Sequence, residues 1–212
     1  MAERKQEVRG GQMKSRGTSA KGAKRKEAIM AAAIRRFAED GYQSASIASI
    51  ADDAGLSQPG LLHYFPTKVD LLLAVLEQRD LESASVVHGT AEWRGLLGAM
   101  GEAVRRNAQV PAVIKAFAVL NAESLTAEHP AQSWFLKRSR SLQLNIAASF
   151  ERAAARKEIR GDVDCRAIAA ELIAMMDGLQ MLWLRDPDAV DMVRVFDGYI
   201  DRLIESIASD RK

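Results

Sequence analysis

A chain of 212 residues is long enough for one or two ordinary cores, and 48% hydrophobic with 27% charged residues is the balance of a soluble globular protein. The net charge of +2 hides an asymmetry: residues 1–26 hold nine Lys or Arg against two Glu, the rest 21 against 26 acidic residues, so a basic end is set on a mildly acidic body. No apolar run approaches the ~18 residues that span a membrane, and no apolar segment follows the positive N-terminus, so neither a membrane segment nor a secretory signal is expected.

In chain order, residues 1–23 are rich in Gly, Ser, Lys and Arg and lack apolar periodicity, which predicts a disordered basic arm. Met13 offers an alternative start that would make residues 1–12 dispensable. A first helix follows, with Ile29, Ala33 and Phe37 on one face, ending near Gly41-Tyr42. Residues 46–68, SIASIADDAGLSQPGLLHYFPTK, predict two short helices pivoting on Gly55. Ser46 and Ser57 are the cap candidates, because a serine hydroxyl accepts from an unpaired first-turn amide. Gly55 fits the turn, since glycine enters the left-handed region at little steric cost. A helix, a glycine turn and a short helix with a polar tip make a helix-turn-helix, assigned here to residues 24–70. Thr67 with Asp70 is a capping pair for the helix carrying Leu71, Leu72, Val75 and Leu76.

Residues 71–212 read as further helices: one over 90–107, one opened by Pro111, one from Pro130 to about Lys157, and one after Gly161 capped by Asp164. No sustained period-two pattern occurs, so the fold class is all-α: an N-terminal three-helix helix-turn-helix domain followed by a larger helical domain. In the last two helices Ile168, Leu172, Met175, Leu179 and Leu182, then Val193, Phe196, Ile200, Leu203 and Ile207, step by three and four. Such stripes suit a seam with a second copy or the chain's own core, and spacing alone leaves both open.

Catalytic chemistry is not evident. His63, His88 and His129 are scattered without metal-ligand spacing and read as surface residues, His63 also as a DNA contact. Cys165 rules out an internal disulfide, fits a reducing cytoplasm and reads as inert. Asp52 and Asp53 read as solvated or as partners of the basic arm. No phosphate loop, nucleophile elbow or paired-carboxylate motif is present, so neither an enzyme nor a cofactor or metal is expected. Met100, Phe117, Trp134, Phe135, Met175, Met176 and Trp183 fit either ordinary core or the lining of a small-molecule pocket, with Asn121, Glu123 and Glu171 as orienting polar groups.

The run carrying Ile29, Ala33, Phe37, Gly41, Tyr42, Ile50, Ala51, Ala54, Gly55, Ser57, Leu61, Phe65, Lys68 and Leu71 resembles the N-terminal domain of TetR-family transcriptional regulators. It departs from the family pattern in the order Leu62-His63-Tyr64. The resemblance implies a cytoplasmic homodimer on a near-palindromic, double-stranded operator, most simply a repressor released by a small molecule of unknown identity. It implies base reading by Ser57, Gln58, Gly60 and His63. Phosphate contacts would come from Ser46, Tyr64 and Lys68, with Lys24, Arg25 and Lys26 adding non-specific attraction. It also favours the seam reading for the last two helices, with Ile168, Leu172, Met175, Leu179, Leu182, Phe196, Ile200, Leu203 and Ile207 at the interface. The rival readings are a DNA-binding or interaction module without an effector, and a helical enzyme with a structural helix-turn-helix.

Overall fold

The computed structural model describes residues 14–87 and 92–209. Among them run nine helices: α1 (Lys14–Ser44), α2 (Ile47–Asp53), α3 (Gln58–Leu62), α4 (Lys68–Val87), α5 (Trp93–Ala108), α6 (Pro111–Glu123), α7 (Gln132–Ala155), α8 (Cys165–Arg185) and α9 (Met192–Ile207). The described residues contain no strand, only an isolated bridge between Ile159 and Ala208. The all-α expectation therefore holds.

The disordered arm expected through residue 23 is corrected in part. The first helix already begins at Lys14. Ala20, Lys21, Ala23, Lys24, Arg25 and Lys26 are good helix formers, and only Gly17 and Gly22 interrupt them. Residues 1–13 lie outside the described residues, as do His88 and Thr90. The α7 start also shifts, from Pro130 to Gln132. His129 explains the delay: its Nδ1 accepts the Ala131 N–H at 3.2 Å, which turns the chain before the helix begins. The predicted caps form elsewhere. Thr67 and Asp70 exchange bonds of 3.0 Å, and the Asp164 carboxylate accepts from the amides of Arg166 and Ala167.

Two cores organise the molecule. One joins α1–α4 through Ile29, Phe37, Ile50, Leu61, Leu71 and Leu76, and it continues into Ala116 and Leu120 of α6 and Ala131 and Phe135 beside and within α7. The packing of the helix-turn-helix thus extends well past residue 70. The other core joins α5, α7, α8 and α9 around Trp93, Phe150, Leu172 and Phe196.

That second core corrects the interface assignment. Ile168, Leu172, Phe196, Ile200, Leu203 and Ile207 are buried inside the single chain and pack in its own core, while Leu179, also mostly buried, still lines a groove on the outer side of α8. Burying each is worth roughly 1.5–3 kcal/mol to the fold itself. Leu182 is exposed and Met175 half-buried. A second correction concerns α8, which is long and apolar enough, by length and composition, to cross a membrane. Here its apolar side packs into the second core through Ile168, Ala169, Leu172 and Leu179.

Candidate functional site

The helix-turn-helix is built by local bonds that the sequence specifies. The Ser46 hydroxyl accepts the Ser49 amide at 3.0 Å and caps α2. At the other end Gly55, at φ 66°, lets the Leu56 amide reach the Ala51 carbonyl at 2.9 Å while its own amide reaches Asp52 at 3.0 Å. This paired closure satisfies carbonyls that a helix end would otherwise strand. Ser57 then caps α3, accepting the Gly60 amide at 3.3 Å, and Leu61 anchors the helix in the core. Ser57, Gln58, Pro59 and His63 are left exposed along α3 and its end. Tyr64 is half-buried, and its ring meets that of His63 edge-on at 5.5 Å.

The remaining sequence-predicted contacts divide. Ser46, Lys24, Arg25 and Lys26 are exposed, the last with its ammonium 6.0 Å from the Phe65 ring. Lys68 is engaged internally: its ammonium donates to the Gln43 carbonyl at 3.2 Å and lies 4.4 Å from the centre of the Tyr42 ring. Burial lowers its pKa from the ordinary lysine value, partly offset by Glu123. That geometry makes Lys68 a brace for the α1–α2 corner rather than a free clamp. Asp53 meets α1 instead of the basic arm, in a two-point contact with Arg36 at 2.8 Å on each bond. The bonds from Arg36 hold the Asp53 carboxyl below the usual range.

The junction between the two halves centres on Glu123, at the end of α6. Its carboxylate accepts the Tyr42 amide at 2.8 Å, directly beside Gly41. Gly41 stands at φ 73°, ψ 174°, and a Cβ there would collide with the same carboxylate. His129, expected at the surface, is buried here, edge-on to Tyr42 at 5.1 Å. Because its Nδ1 accepts a bond, the neutral ring carries its proton on Nε2, 4.0 Å from Glu123. Desolvation lowers its pKa, so the ring is held neutral. Glu123, predicted as a pocket residue, is instead the link from α6 to the corner of α1.

The cavity in the C-terminal half measures about 130 Å³, close to the ~150 Å³ that holds a benzene-sized molecule. Met100, Phe117 and Met176 line it as predicted, with Leu96, Leu142, Ile146 and Ile173. Its polar wall went unrecognised in the sequence: Arg79, Asp80, Asn107, Arg138, Asn145, Asp177 and Gln180. Arg138 is paired with Asp80 at 2.7 Å and stacked on Phe117 at 5.1 Å. The Arg79 guanidinium bonds Asn107 at 2.6 Å. The other predicted pocket residues lie apart. Trp134 and Phe135 pack with Phe117 behind the cavity, Asn121 faces an outer groove between α6 and α8, and Glu171 and Met175 line a surface groove beside Tyr199. Trp183 packs against the second core. Cys165 is buried and its thiol pKa is raised by desolvation, consistent with an inert residue.

An apolar surface is open on the outside of α8 and α9. Ala174, Gly178, Met181, Leu182 and Tyr199 border a shallow groove on the outer side of α8 and α9, with Leu182 54% exposed and Met181 41%. Val195 of α9 is likewise exposed. Met175, Leu179 and Leu182 of the predicted α8 stripe line this groove, and Ala174, Gly178, Met181 and Tyr199 extend it beyond the stripe.

Residues 29–75 match the family described as bacterial regulatory proteins, tetR family, and residues 94–205 match the C-terminal domain of BetI-type transcriptional repressors. The chain is 43% identical over 65 residues to the transcriptional regulator RutR of Escherichia coli, a match spanning 31% of this chain and only 29% of RutR. It is 30% identical to the regulator BetI of Burkholderia lata over 86% of this chain and 95% of that protein. In fold it is similar to SmeT of Stenotrophomonas maltophilia in its triclosan complex, with a TM-score of 0.78, 18% identity and coverage of 88% and 93%. The capped helix-turn-helix at one end and the matched helical domain at the other place this chain in the TetR family of bacterial transcriptional regulators.

Proposed function

We propose that the protein is a homodimeric repressor that a small molecule releases from a near-palindromic operator in the cytoplasm. The observation that carries this reading is the shared core. The reading head of α1–α4 and the wall of the cavity are both built on α6, through Ala116, Leu120 and Phe117. A ligand that shifts α6 therefore favours one placement of α3 over another, which is a population shift between two packings. In this scheme Gln58 and His63 read base edges from the tip of α3. Tyr64 and Ser46 touch phosphate, and Lys24, Arg25 and Lys26 supply attraction independent of sequence. The outer α8–α9 face meets the second copy. SmeT, solved with triclosan, shows a protein of this fold holding a small molecule.

The test is selection of binding sites from random duplexes followed by titration across salt. Gln58→Ala is expected to relax one position of the half-site, worth about 1–3 kcal/mol in discrimination. Changing Lys24, Arg25 and Lys26 to Gln should leave the selected sequence intact and flatten the salt dependence by about 0.9 for each phosphate no longer neutralised. Equal affinity for selected and random duplexes favours the module without sequence reading. Turnover of a cavity ligand favours the enzyme.

A further inference from the structure

The polar wall of the cavity has one member whose charge the chain leaves unanswered. Arg138 is matched by Asp80, while among the described residues Asp177 takes part in no hydrogen bond or ion pair. Asp177 lies on α8 where the cavity meets the outer α6–α8 groove, and Phe117, Asp177 and Gln180 line both spaces. In the single chain its side chain is exposed at this mouth. Protein atoms nonetheless crowd it enough that desolvation raises its carboxyl above the ordinary aspartate value, against the opposing pull of Arg138. Beyond it the walls turn apolar: Leu96, Met100, Leu142, Ile146, Ile173 and Met176.

A carboxylate placed at the entrance of an apolar chamber, with no hydrogen-bond partner of its own, is available to a ligand. An ammonium head answers that charge with a charge-assisted hydrogen bond, and an apolar body fills the space behind it. Resting on the effector reading above, we propose that the effector is a monocation with an apolar body, its cationic head held at Asp177.

The experiment uses the full chain and three soluble probes sharing a 2-phenylethyl body: 2-phenylethylammonium, 2-phenylethanol and 3-phenylpropanoate. Calorimetry reads binding, and fluorescence anisotropy of labelled operator reads release. The ammonium is expected to bind at least about tenfold more tightly than the alcohol, the factor that one hydrogen bond to a charged group supplies. Asp177→Asn keeps the shape of the side chain. It should remove that preference while leaving the alcohol's affinity in place. The proposal is overturned if the alcohol or the carboxylate binds as tightly as the ammonium, if the ammonium does not bind, or if Asp177→Asn weakens all three probes alike. Failure of the underlying effector reading looks different: probes then occupy the cavity without changing operator affinity.

Discussion

Gly41→Ala is expected to destabilise the protein by at least about 2 kcal/mol and to weaken operator binding with it. Two separate effects combine. At φ 73°, ψ 174°, the backbone occupies a region open essentially to glycine alone, where another residue costs about 1–3 kcal/mol. The added Cβ also collides with the Glu123 carboxylate, the group that receives the Tyr42 amide. Relieving the clash swings the Glu123 side chain aside and strands that amide. Gly55 is the internal control. Its φ of 66° is also positive, but nothing lies within 4 Å of a Cβ there, so Gly55→Ala should cost only about 1 kcal/mol. Urea unfolding of both variants separates the cases. The double change Gly41→Ala with Glu123→Ala should recover the steric part and leave the backbone part. An unchanged midpoint for Gly41→Ala would show that the corner is not the rigid joint described.

The contrast between these glycines and the rest of the molecule shows what a sequence can carry. Gly55, Ser46, Ser57, Thr67 and Asp164 were legible because a cap or a turn is decided within a few residues of chain. Gln58 and His63 were legible as candidate contacts because the Gly55 turn and the Ser57 cap mark a short helix that Gln58 opens and His63 closes. His129 was not. Its ring packs against Tyr42, 87 residues away, and nothing beside it in the chain announces that partner. Lys68 looked like a phosphate clamp for the same reason: its partners, Gln43 and Tyr42, are supplied by the fold. Asp177 left a faint local signal, a lone carboxylate between Met176 and Gly178 in an apolar helix. Arg79, Asp80 and Arg138 left none, because charged residues on helices are ordinarily solvated.

The stripes of α8 and α9 show the limit most directly, and they set the second large expected effect. A three-and-four repeat identifies a buried face without saying what buries it. The structure assigns Leu203, 7% exposed, to the core of the single chain and leaves Leu182, 54% exposed, on its outside. Leu203→Glu should therefore unfold the C-terminal half, since burying a carboxylate without a partner costs several kcal/mol against a total stability of about 5–15. Leu182→Glu faces water in the isolated chain and should leave the helical signal and melting midpoint of the monomer intact. On the proposed dimer its effect falls on assembly, because there the new charge would meet the apolar surface of Met181, Leu182 and Tyr199 of the second copy. Two reading heads about 34 Å apart bind as one unit only while joined, and separating them should lower operator affinity by about 10²–10⁴. Sedimentation, circular dichroism and operator titration of the two variants decide the matter together. A folded Leu182→Glu chain that remains dimeric moves the interface elsewhere. A folded monomer that still holds the full operator tightly removes dimerisation from the mechanism.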